Sequence, residues 1–90
     1  MRFLCLDIPR SDATQEDYLP YLTEESRYGW KLYKDELIRE IYLRRDRLGV
    51  VVAAESESAE ACRNALNQLP LVKAGVISWE IIPIGLVVVN

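Results

Sequence analysis

Ninety residues, half of them apolar, are enough for one domain, residues 1–90, around one modest core. A net charge of -3 argues against a phosphate-binding surface. No apolar run approaches the roughly 20 residues a membrane helix needs, so neither nucleic acid nor a membrane is an expected partner. The chain has no histidine, and Cys5 and Cys62 lack metal-ligand spacing; no metal is expected, and reduced thiols in a cytoplasmic protein are.

In chain order, residues 2–8 alternate as a strand, which Pro9 ends by withholding a ladder donor. The apolar run stops at Asp7 with no small-residue cleavage site, so it reads as a strand and not as a secretory signal. Leu4, Leu6 and Ile8 share one face; Phe3, Cys5 and Asp7 share the other. Thr14 with Asp17 three residues on resembles a capping box and marks a short helical turn. Pro20 suits the first turn of a main helix running to about Lys34. Leu19, Leu22, Ser26, Trp30 and Tyr33 fall on one face of it, Trp30 in the core, while Glu24, Glu25, Arg27, Lys31 and Lys34 are expected to be wet. Gly29 in mid-helix is explained by close approach of another backbone.

Residues 36–55 form a hairpin. Leu37, Arg39, Ile41, Leu43 and Arg45 alternate with Ile38, Glu40, Tyr42 and Arg44, so both faces of this strand touch something. Asp46, Arg47, Leu48 and Gly49 make the turn, with Gly49 free to take a positive φ. The β-branched run after it suits a buried strand. Arg39, Arg44, Arg45 and Arg47 read either as a solvated, ion-paired strand end or as an anion-binding patch. Ser58 is the N-cap of a second helix with an apolar stripe of Ala61, Cys62, Ala65, Leu66 and Leu69, ended by Pro70. Residues 76–82 form the fourth strand, with Ile77, Trp79 and Ile81 on one face and Ser78 and Glu80 on the other. Pro83 and Gly85 break it, and the apolar tail after Gly85 is expected to dock on another chain.

Strand, helix, strand, strand, helix, strand is the α+β, ferredoxin-like βαββαβ order: a four-stranded antiparallel sheet with two helices on one face. Leu4, Leu6, Ile8, Ile41, Leu43, Ile77, Trp79 and Ile81 are expected under the helices. Phe3, Cys5, Asp7, Ile38, Glu40, Tyr42, Arg44, Ser78 and Glu80 are expected on the open face. That face is too apolar for water, so a homodimer or higher homo-oligomer, closed sheet to sheet into an α/β barrel, is the expected assembly.

Residues 66–86, LNQLPLVKAGVISWEIIPIGL, resemble the C-terminal part of muconolactone isomerase and its relatives, in Leu69-Pro70-Leu71, Glu80 and Pro83. Residues 39–58, REIYLRRDRLGVVVAAESES, resemble small proteins of the muconolactone isomerase-like and YCII-like group. The resemblance implies a dimeric α/β-barrel protein, often more highly oligomeric, of a superfamily that includes cofactor-free isomerases, dehydratases, cyclases and monooxygenases and many members without known activity; no cofactor is expected. The His-Asp pair associated with YCII-type proteins has no counterpart in a chain lacking histidine.

On the expected open face, Glu80 is the first candidate for a catalytic base that moves a proton α to a carbonyl, with Asp7 second. Arg44 could hold a substrate carboxylate in a bidentate fork, and Tyr42 could donate to a developing enolate oxygen; Glu40 and Ser78 complete the substrate-binding set. Ion pairing or interface packing is the plainer role for each. Two function classes stay open: a cofactor-free isomerase or lyase acting on a small cyclic or aromatic-derived acid, and a non-catalytic dimeric domain that binds a small ligand or partner.

Overall fold

A computed structural model describes residues 1–87. Its strands are β1 (Arg2–Pro9), β2 (Ile38–Leu43), β3 (Val50–Glu55) and β4 (Ile77–Ile84). Its helices are α1 (Gln15–Tyr18), α2 (Leu22–Lys34), α3 (Ala59–Leu66) and α4 (Pro70–Lys73), with a 3-10 turn, Leu19–Tyr21, leading into α2. All neighbours in the sheet are antiparallel, in the order β2-β3-β1-β4, which is the ferredoxin-like arrangement. The helix α2 packs over β2, and α3 over β4.

Local chemistry sets several boundaries where the sequence puts them. The Asp17 carboxylate accepts from the Thr14 amide at 2.8 Å, and Ser58 Oγ accepts from the Ala61 amide at 3.0 Å. Gly49 takes φ +152° at the hairpin turn. Pro70 does not end α3, which stops at Leu66; it opens α4 instead, at a position where its missing N–H costs nothing. Pro83 is tolerated inside β4 because that strand is an edge. Leu86 and Val87 are highly exposed, and the rest of the expected docking tail, residues 88–90, lies outside the described residues.

Register decides the two sheet faces. Phe3 lies opposite Ala54 and Cys5 opposite Val52 and Ile81, and the helices cover that side. Phe3, Cys5 and Asp7 are therefore buried beneath the helices, whereas Leu4, Leu6 and Ile8 lie on the open face. This reverses the expected sides of β1. The period-two rule makes the reversal complete once the register is fixed, and β1 gave no warning because both of its alternating rows are largely apolar. Ile38 is also under the helices, because a bulge between Ile38 and Glu40 shifts the register of β2. Beyond the bulge, Glu40 and Tyr42 face outward as expected. So do Ser78 and Glu80 on β4, while Ile77, Trp79 and Ile81 face the helices.

The core is built from Phe3, Cys5, Ile38, Val52, Ala54, Cys62, Leu66, Leu69, Val76, Ile77 and Trp79, with Tyr18 and Leu32 closing it from the helix side. Cys5 and Cys62 are free thiols, fully buried, with their sulfurs 3.9 Å apart. The shared contact between the two thiols and their burial push Cys5 well above the usual thiol range.

Candidate functional site

Between α2 and the sheet lies a cavity of about 490 Å³. From α2 it is lined by Glu25, Ser26, Gly29, Trp30 and Tyr33; from the strands by Ile38, Ile41, Val50, Val52 and Trp79; Leu69 closes one end. The walls are mainly apolar, and Glu25 is the only acid among them. Gly29 is what gives the cavity its room. No atom comes within 4 Å of the place a Cβ would take, so the glycine faces space and not the backbone that the sequence led us to expect.

Glu25 was expected to be wet and is half-buried. The row that turns inward is Tyr21, at the end of the 3-10 turn, followed by Glu25, Tyr28 and Leu32 of α2, one position round from the row the sequence favours. Its Oε1 accepts from the backbone N–H of Leu71 at 2.9 Å, on the first turn of α4. Burial raises the Glu25 pKa above the ordinary carboxylate value. The Leu71 amide opposes that shift, and the negative charge of Asp7 adds to it. Trp79 walls the cavity from β4, and its indole N–H is buried without an acceptor among the described residues. Trp30, expected in the core, is 62% exposed and stacks on Tyr33 with ring centroids 5.3 Å apart, at the cavity edge.

Asp7 sits beside this cavity and not on the open face. It is only 3% exposed. Its Oδ2 accepts from the amide of Val50, a cavity residue, at 3.3 Å. Arg47 Nη2 lies 3.1 Å from Oδ1, yet it points its N–H at the backbone oxygen of Asp7, 2.6 Å away. Oδ1 is thus ion-paired without an aligned hydrogen bond. Gly49 lies against the same carboxylate, and a Cβ there would come within 2.6 Å of Oδ2.

The remaining expected site residues do not converge. Glu80 is exposed on β4 opposite Leu6, and Ser78 is exposed opposite Ile8. Glu40 accepts a hydrogen bond from the Tyr42 hydroxyl on β2, which raises the Tyr42 pKa. Arg44 forms a two-pronged pair with Asp46, at 2.9 Å and 2.6 Å. Since β2 and β4 are opposite edges of the sheet, Tyr42 and Glu80 are separated by three strand spacings, roughly 14 Å. Glu80 and Asp7 point to opposite sides of the sheet. Among the described residues no group of three or more metal-ligating side chains forms, and no helix is long and apolar enough to cross a membrane.

An antiparallel β2-β3-β1-β4 sheet with its helices on one face defines the ferredoxin-like class, the fold this chain shares with muconolactone isomerase. Two solved structures share it over most of their length. One is 5-chloro-2-hydroxyhydroquinone dehydrochlorinase from Burkholderia phenoliruptrix AC1100, in complex with 2,5-dihydroxybenzoquinone. It superposes with a TM-score of 0.77 at 17% identity, over 94% of each chain. The other is muconolactone isomerase, with a TM-score of 0.69 at 19% identity, over 90% of this chain and 84% of that one. No family model and no curated protein sequence matches this chain. At these identities the likeness is one of fold.

Proposed function

We infer that this protein is a cofactor-free proton-transfer enzyme, an isomerase or lyase. It would take a small cyclic or aromatic-derived acid into the cavity between α2 and the sheet, with Glu25 as the group that moves the proton. The observation that carries this reading is a carboxylate on the wall of an apolar cavity, with its proton affinity raised by burial. A base so tuned sits nearer the pH at which it must both take and return a proton. Its anchor on the Leu71 amide holds one oxygen fixed, which favours a defined approach to substrate.

In the step we envisage, the Glu25 carboxylate removes a proton from a carbon next to a carbonyl, and the C–H electron pair moves into the enolate. Return of that proton to another carbon completes an isomerisation. Departure of a leaving group with its own bonding pair, while the enolate pair forms the new double bond and Glu25 passes its proton to solvent, completes an elimination. Both outcomes are redox-neutral. Trp30 and Tyr33 offer ring faces for a flat substrate. The two structural neighbours support the class: one is named an isomerase, the other a dehydrochlorinase solved with a dihydroxybenzoquinone.

The same reading includes a homodimer or higher homo-oligomer in the cytoplasm. The apolar row of Leu4, Leu6, Ile8, Val51 and Ile82 on the open face supports a second copy as its cover, and the free buried thiols suit a reducing compartment. Glu80, Ser78, Glu40 and Tyr42 would then belong to or flank that contact, whereas Arg44, beyond the end of β2, turns toward α1. Asp7 would hold Arg47 and the hairpin turn, and not act as the base.

The test is turnover of cyclic unsaturated lactones and halogenated hydroxyhydroquinones in D2O, read by NMR as deuterium incorporation and by a halide-selective electrode as halide release. The expected result is activity in the wild type that falls about 10²–10⁴-fold in Glu25→Gln. Full activity in that variant would remove Glu25 as the base. Saturable binding of these compounds with no turnover would favour the non-catalytic ligand-binding domain.

A further inference from the structure

A second concavity, of about 540 Å³, lies between α1 and the hairpin turn. Arg44, Arg45 and Arg47 line it from the turn, and Thr14 and Tyr18 from the helix side. Three of the chain's eleven cations thus face one cleft in a protein whose net charge is negative. The turn that carries them is held from beneath. Asp7 pairs with Arg47 and accepts from the Val50 amide, and Gly49 fits against that carboxylate with no room for a Cβ. The arginines are consequently displayed on a fixed frame, and the Arg44 side chain is only 24% exposed. Among the described residues Arg45 forms no ion pair. Arg44 already carries a carboxylate, that of exposed Asp46, in the side-on fork such groups adopt. An exposed pair of this kind is worth little and is readily exchanged for another anion.

We propose that this cleft is an anion-binding site, separate from the cavity, that takes a carboxylate or phosphate group on Arg45 and the Arg44 fork, with Asp46 as an internal competitor. Tyr18 adds a phenol at the wall, and burial raises its pKa. Asp7 stands between the two concavities: it bonds the amide of a cavity residue, Val50, and pairs with a cleft residue, Arg47. The site does not depend on the proton-transfer role of Glu25.

The experiment is an NMR titration of the full chain at low ionic strength with inorganic phosphate and, separately, with benzoate. The expected result is saturable shifts confined to residues 13–18 and 44–49. Affinity should drop about tenfold or more in Arg45→Ala, whose side chain holds nothing else in place, and stay within about twofold in Arg39→Ala, which removes an equal charge elsewhere on the hairpin. Asp46→Asn should tighten binding several-fold, and Glu80→Gln, which removes the same charge at a distance, should not. Glu25→Gln should leave it unchanged, so failure here and failure of the proposed reaction are distinguishable. Saturation by phosphate alone or by benzoate alone identifies which group the cleft selects. No saturable shift with either, or equal losses in Arg45→Ala and Arg39→Ala, overturns the site.

Discussion

The two faces of one sheet treat their acids in opposite ways. On the open face, Glu80 and Glu40 stand in or near water, on strands at opposite edges. On the helix face, Glu25 and Asp7 are drawn into apolar surroundings, each held by a backbone amide and close enough that the charge of Asp7 raises the pKa of Glu25. The open face has more charged groups, yet the covered face is where burial changes what a carboxylate can do. Burial of a carboxylate, and not the density of charge along a strand, marks the candidate site.

The sharpest way to break this comparison is to remove one acid from each face. Glu25→Gln is expected to lower turnover by about 10²–10⁴-fold, while Glu80→Gln stays within about twofold; equal losses measured on one substrate would erase the distinction. Stability separates the faces next. Asp7→Ala leaves Arg47 partly buried without its partner and should destabilise the fold by about 2–3 kcal/mol in denaturant unfolding. Glu80→Ala should stay within about 0.5 kcal/mol.

The open face answers a different challenge. Leu6→Arg puts a charge at the centre of the apolar row and should lower the sedimenting mass of the proposed homo-oligomer, whereas Trp30→Ala, at the cavity edge, should not. The pH dependence of stability comes after these in size. The raised Glu25 pKa means that the folded chain binds more protons than the unfolded chain between the ordinary and the raised value. Stability should therefore fall as pH rises through that window, and Glu25→Gln should be as stable as wild type below it and more stable at neutral pH. Gly29→Ala is expected to show the smallest effect. It adds a methyl into open space and should stabilise α2 by up to about 1 kcal/mol while narrowing the cavity; a destabilised variant would mean that Gly29 is needed for contact after all.

Much of the frame was legible because its signals are local. The hairpin turn at Gly49, the Ser58 cap, the Thr14 and Asp17 box and the outward set of Glu80 and Ser78 all follow from residues within a few positions of one another. The fold order followed from the element order. What depended on partners far along the chain did not show. The side that β1 buries is set by its register with β3 and β4, and either row of β1 could have filled a core. The bulge at Arg39 reversed Ile38 for a similar reason. The cavity was hidden because α2 has two adjacent apolar rows. Trp30 drew attention to the wrong one, and Glu25 looked like one more solvated acid. A signal was present: Tyr21, Glu25, Tyr28 and Leu32 recur at four- and three-residue spacing, which sets an acid in the middle of an otherwise apolar stripe.

Everything proposed for the cavity turns on Glu25 being a desolvated carboxylate that faces it. A carbon-13 NMR titration of side-chain carboxyls reads that desolvation directly. The Glu25 resonance is expected to titrate above the ordinary glutamate value of about 4.3. A Glu25 midpoint at or below that ordinary value would show that the carboxylate is not desolvated.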